Sequence, residues 1–333
     1  MTGQERLTGV GLCLREALPP DRLVALAQDL DETDGITLWC PEFAIRDAFS
    51  QLAFVAAHTR RLRLATGIAP MAARTPASTA MAASTLEQLS LGRMVLGVGV
   101  GHPSMSGGWH GQEHSSSLQW ATDYLTVVGQ ALRGETTDWP GQEAASSGFR
   151  LLTGGAPDVP VVLAALGPKM LGLAARLADG VLLNWTTPES ARASIETVAA
   201  ATDAGREPVP VGGYLRIAAG PDPMAQAHAH TAFYAELPAY RRALESMGFG
   251  GSGDLAAEAA RELVLHGPAE VIAQRAQEWR NAGVDPLVIY PVGDDDSIHE
   301  AIRLAVDVVR LLASSRLPTV PTIVLSSEVH SAN

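Results

Sequence analysis

The sequence is short of aromatics, cysteine and positive charge. Aromatic side chains make up 5% of its 333 residues, cysteine occurs twice, and 24 basic residues face 36 acidic ones, for a formal net charge of −12. With so few aromatics the core must be aliphatic, built from Ala, Leu and Val, and Leu and Val suit strands buried in a parallel sheet. Cys13 and Cys40 both lie in apolar runs and read as buried reduced thiols of a cytosolic protein, not as a bridge. The acidic balance argues against nucleic acid: no basic stripe is present, and the densest cationic stretch, TRRLR at 59–63, suits a solvated turn from helix to strand. The N-terminal MTGQERLTG has no hydrophobic signal core and no apolar run reaches 18 residues, so neither standard secretion nor a membrane span is expected.

What is present is an alternation. Apolar runs at 7–14, 36–40, 62–68, 94–100, 160–166, 180–185, 209–220 and 286–292 read as eight strands, nearly all followed by amphipathic stretches with helical spacing, such as Leu23, Leu26, Ala27 and Leu30 in DRLVALAQDLDE. Alternating strands and helices imply a parallel sheet. Eight such units over about 310 residues suit an α/β fold of the (β/α)8 barrel type, which runs to ~250 residues before insertions. A doubly wound open sheet is the alternative, but it would split a chain of this length and no linker divides it. The reading is a single barrel domain over 1–315, with an insertion after strand 4, extra helices after strand 7 over 222–265, and a flexible tail at 316–333. A barrel puts function on the loops at the C-terminal ends of its strands.

Residues 96–103, LGVGVGHP, close strand 4 with three glycines. They are not a dinucleotide fingerprint. Gly97 and Gly99 supply the first two glycines of G-x-G-x-x-G, but position 102 is His and no acidic residue ends the next strand. Gly99 and Gly101 offer bare main chain against which a flat ring can lie, or they make a tight strand exit that touches no ligand. In LGPKM (166–170), Gly167 and Pro168 open a helix straight after strand 5, where free N–H groups and the helix dipole favour an anion. The same Pro also fits an ordinary first-turn position.

Taken together, these segments resemble a known family. LATGIAPMAARTPASTAMAASTLEQLSLGRMVLGVGVGHP (64–103) resembles the luciferase-like monooxygenase superfamily, with its T-G-I strand end, R-x-P, Ala-rich helix, L-S-x-G-R and L-G-x-G-x-G. ALGPKMLGLAARLADGVLLNWTTPE (165–189) and LWCPEFAIRDAF (38–49) are similar to its branch that uses the deazaflavin coenzyme F420. The match covers strands 2–6; strands 1, 7 and 8 agree by rhythm. The resemblance implies a (β/α)8 barrel and an oxidoreductase passing a hydride between F420 and a small molecule. It places the ring beside Gly67, Ile68 and Ala69 after strand 3, with a non-proline cis bond at Gly67–Ile68, and beside Gly99, Val100, Gly101 and His102 after strand 4. It places the phosphate-bearing tail at Ala165, Leu166, Gly167 and Pro168 and at Asn184, Trp185 and Thr186. A homodimer is plausible by the same analogy. Reduced FMN with O2, as in a flavin monooxygenase, and a barrel that only holds the cofactor are the competing readings.

Two titratable groups sit at these strand ends as catalytic candidates. Glu42 follows strand 2, where sugar-phosphate-oxidising relatives place a His, and His102 follows strand 4, where they place a Glu. The exchange argues against sugar phosphates and leaves acid–base chemistry open. Glu42 is as readily structural, and His102 as readily a pocket wall. Glu87, Ser90, Arg93 and Asp179 precede strands, at the opposite face, and read as ion pairs or caps; Arg74 is ambiguous. His110, Glu113 and His114 match H-x-x-E-H formally, but the surrounding glycines and serines oppose the helix a zinc site needs. His228 and His230 are two apart on a helix and face different sides. No metal site is expected.

Overall fold

The structure, a computed structural model, describes residues 3–153, 157–251 and 253–314; the expected tail at 316–333 lies outside them. Eight parallel strands form the frame: β1 (Val10–Cys13), β2 (Ile36–Cys40), β3 (Arg63–Thr66), β4 (Met94–Gly99), β5 (Val161–Ala164), β6 (Gly180–Leu183), β7 (Val211–Ala218) and β8 (Leu287–Val292). Each pairs with the next. β8 returns to β1 through Val10↔Leu287, and β6 joins β7 through Val211↔Val181, so the sheet closes. Closure removes every edge and rules out the open-sheet alternative.

The flanking helices are α1 (Pro20–Asp31), α2 (Ala48–His58), α3 (Pro76–Leu89), α4 (Ser117–Leu132), α5 (Pro168–Leu177), α6 (Pro188–Ala201), α7 (Pro223–Ala235), α8 (Pro238–Ser246), α9 (Leu255–Leu263), α10 (Ala269–Asn281) and α11 (Ile298–Ala313). Their starts follow local sequence. Asp47 accepts from Ser50 N–H at 2.6 Å before α2, and Thr75 caps α3 ahead of Pro76. Thr187 and Ser190 form a reciprocal capping box before α6, satisfying donors that the first turn leaves free. The insertion after β4 holds a single helical turn at Ser104–Trp109 and a two-stranded hairpin, Asp138–Trp139 with Ser146–Ser147, neither of them visible in the periodicity. The region after β7 is α7–α9, and its last residues differ from a helix: Val264–Leu265 pair parallel with Arg216–Ile217 of β7.

The N-terminal ends of the strands are stapled by buried charge. Arg6, 1% exposed, donates to both oxygens of Glu87 at 2.9 and 2.8 Å and to Met94 O at 3.0 Å. Arg93 donates to Leu62 O, Ser90 O, Ala56 O and both oxygens of Thr59. Asp179 accepts from Val161 N–H at 2.9 Å. These are the ion pairs and caps expected at that face.

Both cysteines are free and buried. Burial pushes the Cys40 thiol up to about 12 and that of Cys13 well above its ordinary value; the Tyr124 and Tyr240 phenols are also pushed to about 12 by burial. The unfolded chain releases these protons at lower pH than the folded one. Above pH ~9 it therefore binds fewer protons, and stability is lost as pH rises towards 12. The urea midpoint is expected to fall between pH 8 and pH 11, and a thiol reagent at pH 8 to label neither cysteine before unfolding. Labelling at the native rate of an exposed thiol would show that these residues are not in the core.

Candidate active site

The C-terminal strand ends gather the expected positions on one rim. β4 lies between β3 and β5, and β5 beside β6, so the exits at 67–69, 99–102, 165–168 and 184–186 are neighbours. The glycines of LGVGVGHP have separate reasons to be glycine. A Cβ on Gly97 would stand 2.2 Å from Thr66 O and 2.5 Å from Gly67 O, so it is the backbone of β3 that passes there. A Cβ on Gly99 would meet Ile68 Cγ2 at 2.7 Å and Ala164 Cβ at 3.2 Å. Gly101 has φ +70 and is exposed. Val100 and His102 are half-buried beside it.

The Gly67–Ile68 bond is trans, contrary to expectation; the cis bond among the described residues is Asp285–Pro286. The trans chain already makes its ladder contacts, with Gly67 N–H donating to Cys40 O at 2.8 Å and Ile68 O accepting from Glu42 N–H at 3.2 Å. Ala69 continues into a two-residue pairing with β4.

At the β5 exit Ala165 is buried and Leu166 is 37% exposed. Gly167 caps α5 with no side-chain hydrogen bond, and among the described residues no atom beyond its chain neighbours lies within 4 Å of where its Cβ would be. Pro168, which has no N–H, follows as the first helical residue, and Met170 and Leu171 N–H each donate to Gly167 O at 3.0 Å, so the donors left at this positive helix end among the described residues are the Gly167 and Lys169 amides. At the β6 exit Trp185 is 2% exposed with φ +55, a backbone region that bulky residues avoid. Its indole Nε1 has no partner among the described residues. Thr186 accepts from Trp279 Nε1 through its carbonyl at 2.9 Å and shares a hydroxyl contact with Ser190 at 2.6 Å.

The catalytic candidates differ in freedom. Both oxygens of Glu42 are engaged: Arg74 donates to Oε2 at 2.6 Å and to Oε1 at 2.8 Å, and Ala48 N–H donates to Oε1 at 3.1 Å. Arg74 also pairs with Asp47, which ties the loops after β2 and β3 together. His102 is less encumbered. Its Nδ1 accepts from Ser104 N–H at 3.2 Å and lies 2.8 Å from Ser104 Oγ, so in the neutral ring the proton sits on Nε2. Of the H-x-x-E-H residues, His114 stacks on Trp120 at 4.2 Å and bonds Ser117, while His110 is exposed.

Sequence reasoning missed a second group at this mouth. Arg216 of β7, 1% exposed, lies 3.7 Å from the Trp185 ring, 4.9 Å from Tyr290 and 5.2 Å from Tyr234. Asn184 accepts from its Nη2 at 2.8 Å and donates to Tyr240 Oη at 3.0 Å. The signal was in the sequence: one arginine interrupts the apolar strand VPVGGYLRIAAG. An open concavity of about 780 Å³, lined by Arg133, Asp158, Arg176, Asp179 and Arg206, lies at the opposite end, before β5–β7; none of the candidate residues lines it.

Comparison with known proteins agrees with this fold. Residues 5–309 match the family model of the luciferase-like monooxygenases. The chain is 34% identical over 192 residues to a protein of Mycobacterium tuberculosis assigned as a coenzyme F420-dependent oxidoreductase, covering 53% of this chain and 54% of that one. It is 31% identical over 198 residues to the 5,10-methylenetetrahydromethanopterin reductase of Methanolobus tindarius, covering 58% and 60%. The matches thus span a little over half of these relatives. The solved structure of an F420-dependent tetrahydromethanopterin reductase from Methanopyrus kandleri superimposes with a TM-score of 0.75 over 92% of this chain and 99% of that one, at 18% identity. A closed eight-strand barrel, this rim and a match over nearly the whole length lead to one conclusion: the chain belongs to the luciferase-like monooxygenase family.

Proposed function

We propose that the chain is an F420-dependent oxidoreductase acting on a small organic molecule. The observation that carries the reading is the uncapped start of α5 at the β5 exit, which adjoins the β4 and β6 exits. The chain fits the coenzyme there. The free space at Gly167 and the Gly167 and Lys169 amides suit a phosphate. Bound at this rim, F420 supplies a two-electron hydride carrier at C5 of its ring.

The protein's own residues do the rest. Ala165–Pro168 and Asn184–Thr186 hold the anionic tail. Gly67–Ala69 and Gly99–Gly101 flank the ring. Glu42, held by Arg74, fixes the loop after β2 and acts as a positioning residue. His102, whose Nδ1 is occupied by Ser104, gives or accepts the proton through Nε2, worth on the order of 10²-fold in rate or more. The names of the two curated relatives, one assigned to F420 and one a methylenetetrahydromethanopterin reductase, support a reductive role over oxygenation.

Titration of the purified chain with F420 and, separately, with FMN tests this. F420 is expected to bind in the micromolar range or tighter, seen as quenching of coenzyme fluorescence, with FMN much weaker. FMN bound in preference to F420 would overturn the assignment in favour of a flavin enzyme.

A further inference from the structure

The barrel mouth holds more positive charge than its neighbours neutralise. Arg216 projects into the barrel from β7, on the same face as Tyr214, and is 1% exposed. Its acceptors are neutral. Asn184 Oδ1 takes one N–H at 2.8 Å, and His230 Nε2 takes another at 3.2 Å. His230 is held well below its ordinary pKa by burial first, then by Arg216 and Arg15, so it adds no compensating charge and must be uncharged to accept. No carboxylate lies in ion-pair range of Arg216 among the described residues. Arg15, half-buried at the β1 exit, pairs at 3.3 Å with Glu16, leaving two guanidiniums to one carboxylate.

The surroundings are rich in unused donors. Among the described residues, Trp185 Nε1 and Tyr214 Oη are buried without partners, and two of the five N–H groups of Arg216 are committed. Burying a cation beside neutral acceptors is unfavourable, and aromatic faces return only part of the loss. Such an arrangement is completed by an anion. Above it, Phe43, Trp109 and Phe233, from the loops after β2 and β4 and from α7, make edge-to-face contacts at 5.3 and 6.3 Å; Trp109 is 51% and Phe233 53% exposed. That is an apolar doorway over a cationic floor.

We propose that Arg216 anchors the carboxylate of the substrate, so that the molecule acted on is a small organic acid with an apolar or aromatic body. This rests on the reading that the mouth takes F420 and a small substrate together. Arg216 receives the two carboxylate oxygens through its remaining N–H groups and Trp185 and Tyr290 hold the guanidinium flat, while the Arg15–Glu16 pair is neutral overall and leaves Arg216 as the local surplus of positive charge. The bound acid then lies on the β7–β8 side of the mouth, leaving the β3–β5 side to the ring.

The test uses the full chain with benzoate and its uncharged counterpart benzamide, followed by calorimetry and by tryptophan emission, with and without F420. Wild type is expected to favour benzoate by about 30-fold or more, Arg216→Lys to keep part of the preference, and Arg216→Gln to lose it, with F420 affinity falling much less than benzoate affinity although Arg216 also contacts Asn184 and Trp185. Equal binding of the two probes by wild type, or benzoate bound undiminished by Arg216→Gln, overturns the proposal. If Arg216→Gln does not fold, the wild-type ratio and the Lys variant decide. Loss of F420 binding with the benzoate preference intact assigns the anchor to the coenzyme and also overturns it. Benzoate preference without any F420 binding supports the anion site and rejects the coenzyme reading instead.

Discussion

Replacing Glu87 with alanine is expected to destabilise the protein by about 3–5 kcal/mol, the cost of leaving a buried charge without its partner. Glu87 takes two of the three contacts of Arg6 Nη1, one with each carboxylate oxygen, and also accepts from Met94 N–H at 3.0 Å. Without it the guanidinium keeps Met94 O and the contacts to Asp158, whose own side chain is 70% exposed, while its Nε already lacks a partner. For a domain of this size the apparent Tm should drop by roughly 10 °C. The double variant Arg6→Met, Glu87→Leu should recover at least half of the loss, since two apolar groups of similar volume need no charge balance. Coenzyme affinity of the folded fraction should not change, because the staple sits at the opposite end of the strands from the rim. Thermal and urea unfolding measure both. A single-variant cost below ~1 kcal/mol would mean that the pair behaves like a solvated surface bridge.

The second large effect separates stability from binding. Gly167→Asp should leave the protein as stable or slightly more so, while weakening F420 by about 100-fold. Gly167 has φ −125 and ψ 163, extended backbone that any residue adopts, and its Cβ position is empty. Aspartate is a preferred cap, and its charge suits the helix dipole, so the fold gains a few tenths of a kcal/mol or more. That carboxylate occupies the place and the donors proposed for the coenzyme phosphate. Like charges about 5 Å apart at the protein surface repel by ~3 kcal/mol before screening. Gly167→Asn, a cap without charge, should lose much less. F420 bound by the Asp variant as tightly as by wild type would remove the tail from the start of α5.

How much of the site was legible depends on the kind of signal. Gly167–Pro168 and Asn184–Trp185–Thr186 were readable because strand exits and helix starts are written locally, in a few adjacent residues. Glu42 was readable as a residue at a strand end, but its role was not: Arg74, which holds both its oxygens, is 32 positions away. Gly97 was legible only as a glycine of a fingerprint that did not hold, and the contact that requires glycine there is with the main chain of β3. The cis bond expected at Gly67–Ile68 came from the resemblance alone, and the bond is trans. Arg216 was visible as one charge in an apolar strand, yet only closure of the barrel brings Trp185, Tyr234 and Tyr290 around it.

The sequence by itself determined the fold class and the face that carries function. Periodicity of buried residues along the chain is local physics, and eight strand–helix units with an aliphatic core have few ways to bury their faces other than a closed parallel barrel. Tertiary structure alone decided which polar groups satisfy one another. A buried hydrogen bond or ion pair depends on atoms meeting within about 3 Å, and partners such as Arg6 with Glu87, or Arg216 with Asn184, come from distant segments that no spacing rule connects.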